Sequence, residues 1–81
     1  MTDYQPIIRS TRMHGRYAIG EHELATGDVI EWLENNLRRS GTVEYTYAGY
    51  FVRTESGSIP MRELVQRRTL GSLLPPSRRQ T

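Results

Sequence analysis

The chain contains no cysteine and no lysine, and none of its apolar stretches is long. Without cysteine, neither a disulfide framework nor thiolate zinc ligation can support the fold, which must depend on apolar burial. The lack of disulfides fits a reducing compartment. Residues 1–4 lack the basic and apolar segments of a secretion signal, and no stretch is long enough to span a membrane. We therefore expect a soluble cytoplasmic protein with no membrane partner.

Length, proline and glycine together predict a single small domain with two extensions. A chain of 81 residues buries only about 60% of the surface that its unfolded form exposes, which leaves no material for a second domain. Pro6 and the lack of any periodic pattern of apolar residues predict an N-terminal arm over residues 1–13. Gly71 and the two prolines after it predict a basic flexible tail over residues 71–81. The domain is expected over residues 14–70.

All eleven basic residues are arginines, and their distribution is uneven. Between His14 and Gln66, five arginines stand against eight acidic residues, so the predicted domain is mildly acidic. The C-terminal segment carries four arginines and no acid: Arg67, Arg68, Arg78 and Arg79. Because positive charge gathers at the ends of the chain, the high isoelectric point alone does not indicate a nucleic-acid-binding face on the folded body.

Alternation of apolar and polar residues is clearest in the middle of the chain. Residues 42–47 alternate, which predicts a strand with Val43, Tyr45 and Tyr47 on its core side. A second strand over residues 50–54 follows a glycine turn directly, so the two strands are expected to form a hairpin.

Shorter signals flank this hairpin. Residues 15–20 predict a short strand between two glycines. Residues 60–64 predict one helical turn, because proline is favoured at the first helical position. Residues 65–70 then predict a closing strand.

The segment 28–39 supports two competing interpretations. As a helix it would have an Asp28 cap, Glu31 three residues later and basic residues before Gly41. As a hairpin it would place two strands around an Asn35-Asn36 turn, since asparagine tolerates positive φ. The strands predicted downstream favour the hairpin, because a third antiparallel neighbour stabilises two strands that would be marginal alone.

The order of these features resembles the SH3-like small barrels. Three motifs carry the resemblance: G-R-Y-A-I at residues 15–19, L-A-T-G-D-V-I-E at 24–31 and G-Y-F-V at 49–52. Within that fold they resemble a short bacterial and phage-borne family known only as a domain of unknown function. The resemblance implies an all-β fold, a small SH3-like barrel of about five strands with a short helical turn before the last strand. The alternative is an α+β fold with a helix over residues 28–39 on a β-meander.

Groups suited to catalysis or metal binding are few. His14 and His22 are separated in sequence and have no defined third metal ligand. The glycines occur singly, at the spacing of turns, so they do not form a glycine-rich loop that binds phosphate. The SH3-like fold includes one enzyme family, the plasmid-encoded type II dihydrofolate reductases, whose late V-Q-I-Y motif corresponds here to Ser58-Ile59-Pro60-Met61. This stretch lacks the glutamine and tyrosine of that motif. We therefore expect a non-enzymatic protein without metal or cofactor.

Arginine and aromatic side chains are the candidates for binding. Arginine neutralises phosphates, and an exposed aromatic ring stacks on bases or contacts a peptide. Tyr50 and Phe51 are neighbours in a strand and point to opposite faces, so one of them is expected to be at least half-exposed. The predicted binding residues are Arg38, Arg39, Tyr50, Arg53, Arg67, Arg68, Arg78 and Arg79.

The leading functional hypothesis is a nucleic-acid-binding accessory protein of a phage or mobile element. The alternative is a protein–protein interaction adaptor or a self-associating small barrel. The acidic body, the sheet edges and the apolar Leu73-Leu74 pair favour that alternative. Binding to nucleic acid that weakens strongly with salt would distinguish the first hypothesis from the second.

Overall fold

The computed structural model describes residues 4–75, which form eight strands and one short helix. The elements in chain order are β1 (Gln5–Arg9), β2 (Tyr17–Ile19), β3 (His22–Glu23), β4 (Val29–Glu34), β5 (Leu37–Thr46), β6 (Gly49–Thr54), β7 (Gly57–Pro60), α1 (Met61–Gln66) and β8 (Leu70–Leu73). Every pairing is antiparallel, and the order across the sheet is β3-β2-β1-β8-β4-β5-β6-β7.

The predicted antiparallel β architecture is confirmed, with two corrections. The sheet has eight strands instead of about five, and it does not close into the predicted barrel. The count is higher because segments 5–9, 22–23 and 57–60 form strands that are too short to show alternation in the sequence. The helical turn predicted before the last strand is present as α1.

The segment 28–39 forms a β-hairpin, and the alternative helix is wrong. β4 and β5 pair in register over six residue pairs. Asn35 and Asn36 connect the strands with φ values of 53° and 67°, the left-handed conformations that a two-residue type I′ turn requires. β8 pairs with the other edge of β4, so tertiary pairing decides between two local signals of similar strength.

β5 and β6 form the hairpin that alternation predicts. Val43 lies opposite Val52, and both side chains are fully buried. The expectation that Tyr45 and Tyr47 also face the core is wrong, since their side chains are 58% and 102% exposed. Residues 45–48 are all exposed, so the end of β5 and the turn after it extend into solvent.

The first strand lies inside the sheet, between β2 and β8. Ile7 is buried, and its backbone N–H donates a hydrogen bond to the Thr69 carbonyl oxygen at 3.0 Å. Residues 5–9 are therefore part of the folded body, whereas the sequence places residues 1–13 in an arm. The reason for the difference is that one buried isoleucine in a five-residue strand is too little to produce a period.

The last strand also lies further along the chain than the strand expected over residues 65–70. Helix α1 continues where that strand was expected, and β8 runs through Gly71. A Cβ atom at Gly71 would lie 2.9 Å from Ile7 Cδ1 and 3.1 Å from the Glu31 carbonyl oxygen, so this glycine permits close strand packing instead of ending the ladder. Residues 76–81, the rest of the predicted tail, lie outside the described residues.

The core is one cluster of buried apolar side chains that the strands and the helix share: Ile7, Ile19, Leu24, Ile30, Trp32, Val43, Val52, Met61 and Leu64. Each such side chain contributes roughly 1.5–3 kcal/mol when it leaves water. α1 covers the sheet through Met61 and Leu64. No helix within residues 4–75 has the length and apolar character needed to cross a membrane.

A buried carboxylate lies on the face of β4 opposite to the core residues Ile30 and Trp32. The Glu31 side chain accepts a hydrogen bond from the Tyr4 hydroxyl at 2.8 Å. Partial burial of the phenol and this hydrogen bond to a carboxylate raise the pKa of Tyr4 above its usual value. The contact ties the start of the described chain to the middle of the sheet.

Candidate functional site

A pocket of about 630 Å³ lies where the β4–β5 turn approaches the connection between α1 and β8. We call it the hairpin pocket, and three segments line it: residues 32–36, Leu64 and residues 67–70. Its volume falls in the range of ligand-binding pockets, roughly 300–1,000 Å³. Two arginines and two asparagines are among the lining residues, so charged and amide donors are both available there.

Trp32 lines the hairpin pocket and also belongs to the core. Its Nε1–H group is buried and has no hydrogen-bond acceptor among residues 4–75. A buried donor without an acceptor costs roughly 1–3 kcal/mol. Because native proteins satisfy nearly all such groups, an additional acceptor at this atom would be stabilising.

Backbone conformations around the pocket are unusual. Three residues other than glycine have positive φ in the described part of the chain, and all three line the hairpin pocket: Asn35, Asn36 and Arg68. Asparagine adopts this conformation readily, but for arginine it costs roughly 1–2 kcal/mol. An arginine in this position therefore costs stability that a glycine would not cost.

Arg68 occupies the position after the C-cap of α1, where helices usually carry glycine. Its N–H donates to the Val65 carbonyl oxygen at 3.0 Å, and the N–H of Thr69 donates to that of Leu64 at 3.1 Å. These two bonds make the Schellman motif, which closes a helix when the residue after the C-cap is left-handed. The motif turns the chain so that residues 67–70 line the pocket.

Two pairs of arginines lie on the segments that form the hairpin pocket or on the strand beside it. Arg67 and Arg68 line it directly. Arg38 and Arg39 lie on β5, each directly opposite a lining residue of β4, but they are not lining residues themselves and point to opposite faces of the strand. Segments that are far apart in sequence thus bring positive charge to one end of the sheet.

Acidic side chains partly neutralise this charge. Arg67 forms an ion pair with Glu63 on the preceding turn of α1, and Arg39 Nη1 lies 3.7 Å from Glu34 Oε1. The Arg68 side chain is exposed and has no ion pair or hydrogen bond within residues 4–75. Arg68 is therefore the cation of the pocket most accessible to an anionic ligand.

The other arginines of the predicted binding set lie apart from the pocket. Arg53 is on β6, and its guanidinium forms an ion pair with Glu44 on β5. Arg78 and Arg79 lie outside the described residues. Of the predicted arginines, the structure therefore places Arg67 and Arg68 in the pocket lining, Arg38 and Arg39 on the strand beside it, and Arg53 on β6.

Tyr50 belongs to a tyrosine cluster towards the other end of β5. Its ring centroid lies 6.3 Å from that of Tyr17 and 4.7 Å from that of Tyr45. The guanidinium carbon of Arg16 lies 5.8 Å from the Tyr50 centroid, which is within cation–π range. On β5, Tyr45 is separated from Arg38 by up to about 23 Å of strand, so the cluster and the hairpin pocket are separate surfaces.

Sequence reasoning recognised the Asn35-Asn36 turn but not the pocket beside it. Trp32 and Leu70 are not among the predicted binding residues, although both line the pocket. One signal was available: the helical segment is followed by Arg67-Arg68 and not by glycine, which is unusual for a helix that ends in a tight turn.

Metal binding has little support in the described residues. His22 Nε2 lies 3.4 Å from Asp28 Oδ2, and no cluster of three or more potential metal ligands occurs within residues 4–75.

Comparisons of the chain with protein-family models, curated proteins and solved structures give no significant match. The resemblance to SH3-like barrels of bacteria and phages therefore stays a prediction.

Proposed function

We propose that the chain is a binding module that holds nucleic acid with the arginines around the hairpin pocket. The observation that carries this proposal is that Arg67 and Arg68 line one pocket together with residues 32–36 of the hairpin that also carries Arg38 and Arg39, although the two pairs are distant in sequence. Arginine suits phosphate because its planar guanidinium donates two parallel hydrogen bonds. The motif resemblance to phage-borne SH3-like proteins is consistent with an accessory role of this kind.

The acids near the pocket set the expected strength of binding. Glu34 and Glu63 hold Arg39 and Arg67 in ion pairs at the surface, and such pairs contribute at most about 1 kcal/mol each. Phosphates compete readily for these arginines. We therefore expect modest affinity that does not depend on base sequence and decreases strongly with salt.

Replacing both Arg67 and Arg68 with glutamine should weaken the binding of a fluorescent oligonucleotide about tenfold or more at low salt. Each lost phosphate contact should also reduce the slope of log K against log salt by about 0.7 for a single strand and 0.9 for a duplex. Fluorescence anisotropy across a salt series measures both quantities. A variant with Arg78→Gln and Arg79→Gln separates the contribution of the tail from that of the pocket.

The matched control replaces Arg9 and Arg12 with glutamine. This change removes the same charge from exposed positions that do not line the pocket, so most of the affinity should remain. An equal loss in the control and the pocket variant would show that net charge alone governs binding, against the proposed site. Failure of the native chain to bind any nucleic acid at low salt would contradict the proposal.

A protein-interaction surface is the second candidate, and the tyrosines at the far end of β5 favour it. Tyr45 and Tyr47 are exposed, and a pocket of about 400 Å³ lies beside Tyr17, Tyr50 and Phe51. Tyr50 and Phe51 are both half-buried. Tyrosine is enriched at protein interfaces because its ring supplies apolar area and its hydroxyl a hydrogen bond.

If this surface mediates self-association, the native chain should have a molar mass above the 9.4 kDa of one chain. Replacing Tyr45 and Tyr47 with serine should return the mass to that of a monomer, because it removes two exposed rings without disturbing the core. Light scattering over a range of concentrations measures this. A native chain that is monomeric throughout the range would count against self-association.

A further inference from the structure

The hairpin pocket has features that phosphate contacts do not need. It is concave, and Leu33 and Leu70, both exposed, are part of its lining. It also contains Trp32, whose buried Nε1–H has no acceptor in the described residues. A phosphate group requires neither an apolar rim nor depth. These features fit a flat group that has apolar faces and hydrogen-bond acceptors at its edge, as a nucleobase has.

On the basis of the proposed function, we infer that the hairpin pocket holds one unpaired nucleotide and that the protein prefers single strands to duplex. The base occupies the pocket against Leu33 and Leu70, where a base oxygen or nitrogen supplies an acceptor for Trp32. The phosphate of the same nucleotide lies on Arg68. Amides of the Asn35-Asn36 turn, which also line the pocket, add donors and acceptors for the edge of the base.

The preference for single strands follows from the shape of the pocket. In a duplex the bases are stacked and paired, so a protein reaches only phosphates, sugars and the base edges in the grooves. A base fills a pocket only after it leaves the stack, which costs free energy in a duplex. A single strand offers its bases without most of that cost, and apolar side chains contact them regardless of sequence.

Arg68 gives an independent reason to place a ligand here. Glycine would adopt the left-handed conformation after α1 without strain, but an arginine with an exposed, unpaired side chain occupies the position. Non-glycine residues in such conformations occur often at ligand sites, where the side chain is needed. Arg68 lines the same pocket as Trp32.

Trp32 is the one tryptophan of the chain, so its indole Nε1–H gives a single signal in a nitrogen–proton correlation spectrum of the labelled full-length protein. The probes are oligo(dT), a duplex of equal length, thymidine monophosphate and inorganic phosphate. We expect oligo(dT) and thymidine monophosphate to shift the Trp32 signal, and inorganic phosphate to leave it in place. Oligo(dT) should bind about tenfold more tightly than the duplex.

Arg68→Gly tests the placement of the phosphate in a variant that should still fold. Glycine relieves the left-handed conformation, so the melting temperature should rise while the affinity for oligo(dT) falls about tenfold. Arg68→Gln should lower the affinity for oligo(dT) by a similar factor, but it should not raise the melting temperature. The matched control is Arg62→Gln, which removes an exposed charge from α1 outside the hairpin pocket and should change the affinity less than about threefold.

The outcomes separate this inference from the proposed function. Binding of oligo(dT) and duplex with equal affinity, with an unmoved Trp32 signal, would overturn the inference and leave nucleic-acid binding in place. A Trp32 shift that inorganic phosphate reproduces in full would also overturn it, because the pocket would then recognise an anion and not a base. Absence of binding to every nucleic acid at low salt would overturn both.

Discussion

Gly41→Ala is expected to lower the free energy of unfolding by about 3 kcal/mol, which is a large fraction of the stability of a domain of this size. Gly41 lies within β5, where a Cβ atom would stand 2.5 Å from Val52 Cγ1 and 2.6 Å from the Arg53 carbonyl oxygen. The valine side chain is fully buried and the carbonyl belongs to the neighbouring strand. Neither can move away without disturbing the β5–β6 ladder, so the added methyl group must displace backbone.

Urea denaturation followed by tryptophan fluorescence measures this effect, because Trp32 is buried in the same core. Ser40→Ala is the matched control, since Ser40 is the preceding residue, is exposed and lies on the opposite face of β5. It should change the free energy of unfolding by less than about 0.5 kcal/mol. Similar stabilities for the two variants would contradict the close packing of β5 on β6 at Gly41.

The middle of the fold could be predicted from the sequence because its signals are local and agree with one another. Alternation over residues 42–47, a glycine turn and a second branched and aromatic segment specify the β5–β6 hairpin. For residues 28–39 local signals supported helix and hairpin about equally. The Asn35-Asn36 turn makes the hairpin possible, but pairing of β4 with β8, a contact distant in sequence, makes it stable.

The ends of the sheet could not be predicted for a different reason. β1 and β8 are short, and each buries few side chains, so neither has a detectable period. Their order in the sheet depends on each other, because β1 pairs with β8. The sequence predicts that Gly71 ends the ladder, yet its missing side chain is what allows β8 to pack against Ile7.

The candidate site was predicted in part. The sequence identified the arginine pairs as cations suited to phosphate, but it placed Arg67 and Arg68 in a basic C-terminal run and Tyr50 on the same surface. In the structure Arg67 and Arg68 lie near the hairpin that carries Arg38 and Arg39, because two turns, Asn35-Asn36 and the Schellman motif after α1, line the same pocket. A meeting of two turns is a property of tertiary packing, which spacing in the sequence does not show.

The other large effect is expected from Ile7→Ala, which should lower the free energy of unfolding by roughly 2–5 kcal/mol. Ile7 lies in β1, where only 2% of its side chain is exposed, and it is part of the core cluster. Its strand joins β2 and β3 to the rest of the sheet through β8. Loss of the isoleucine therefore leaves a cavity where two parts of the sheet meet.

Ile8→Ala is a closely matched control, because the same side chain is removed from the same strand one residue later. Ile8 points to the other face and is 38% exposed, so its replacement should cost at most about 1 kcal/mol, mainly in strand propensity. The difference in unfolding free energy between the two variants gives the contribution of burying Ile7, separate from the contribution of strand propensity. If residues 5–9 behaved as an arm outside the domain, both variants would have nearly the native unfolding midpoint, and the placement of β1 inside the sheet, between β2 and β8, would be refuted.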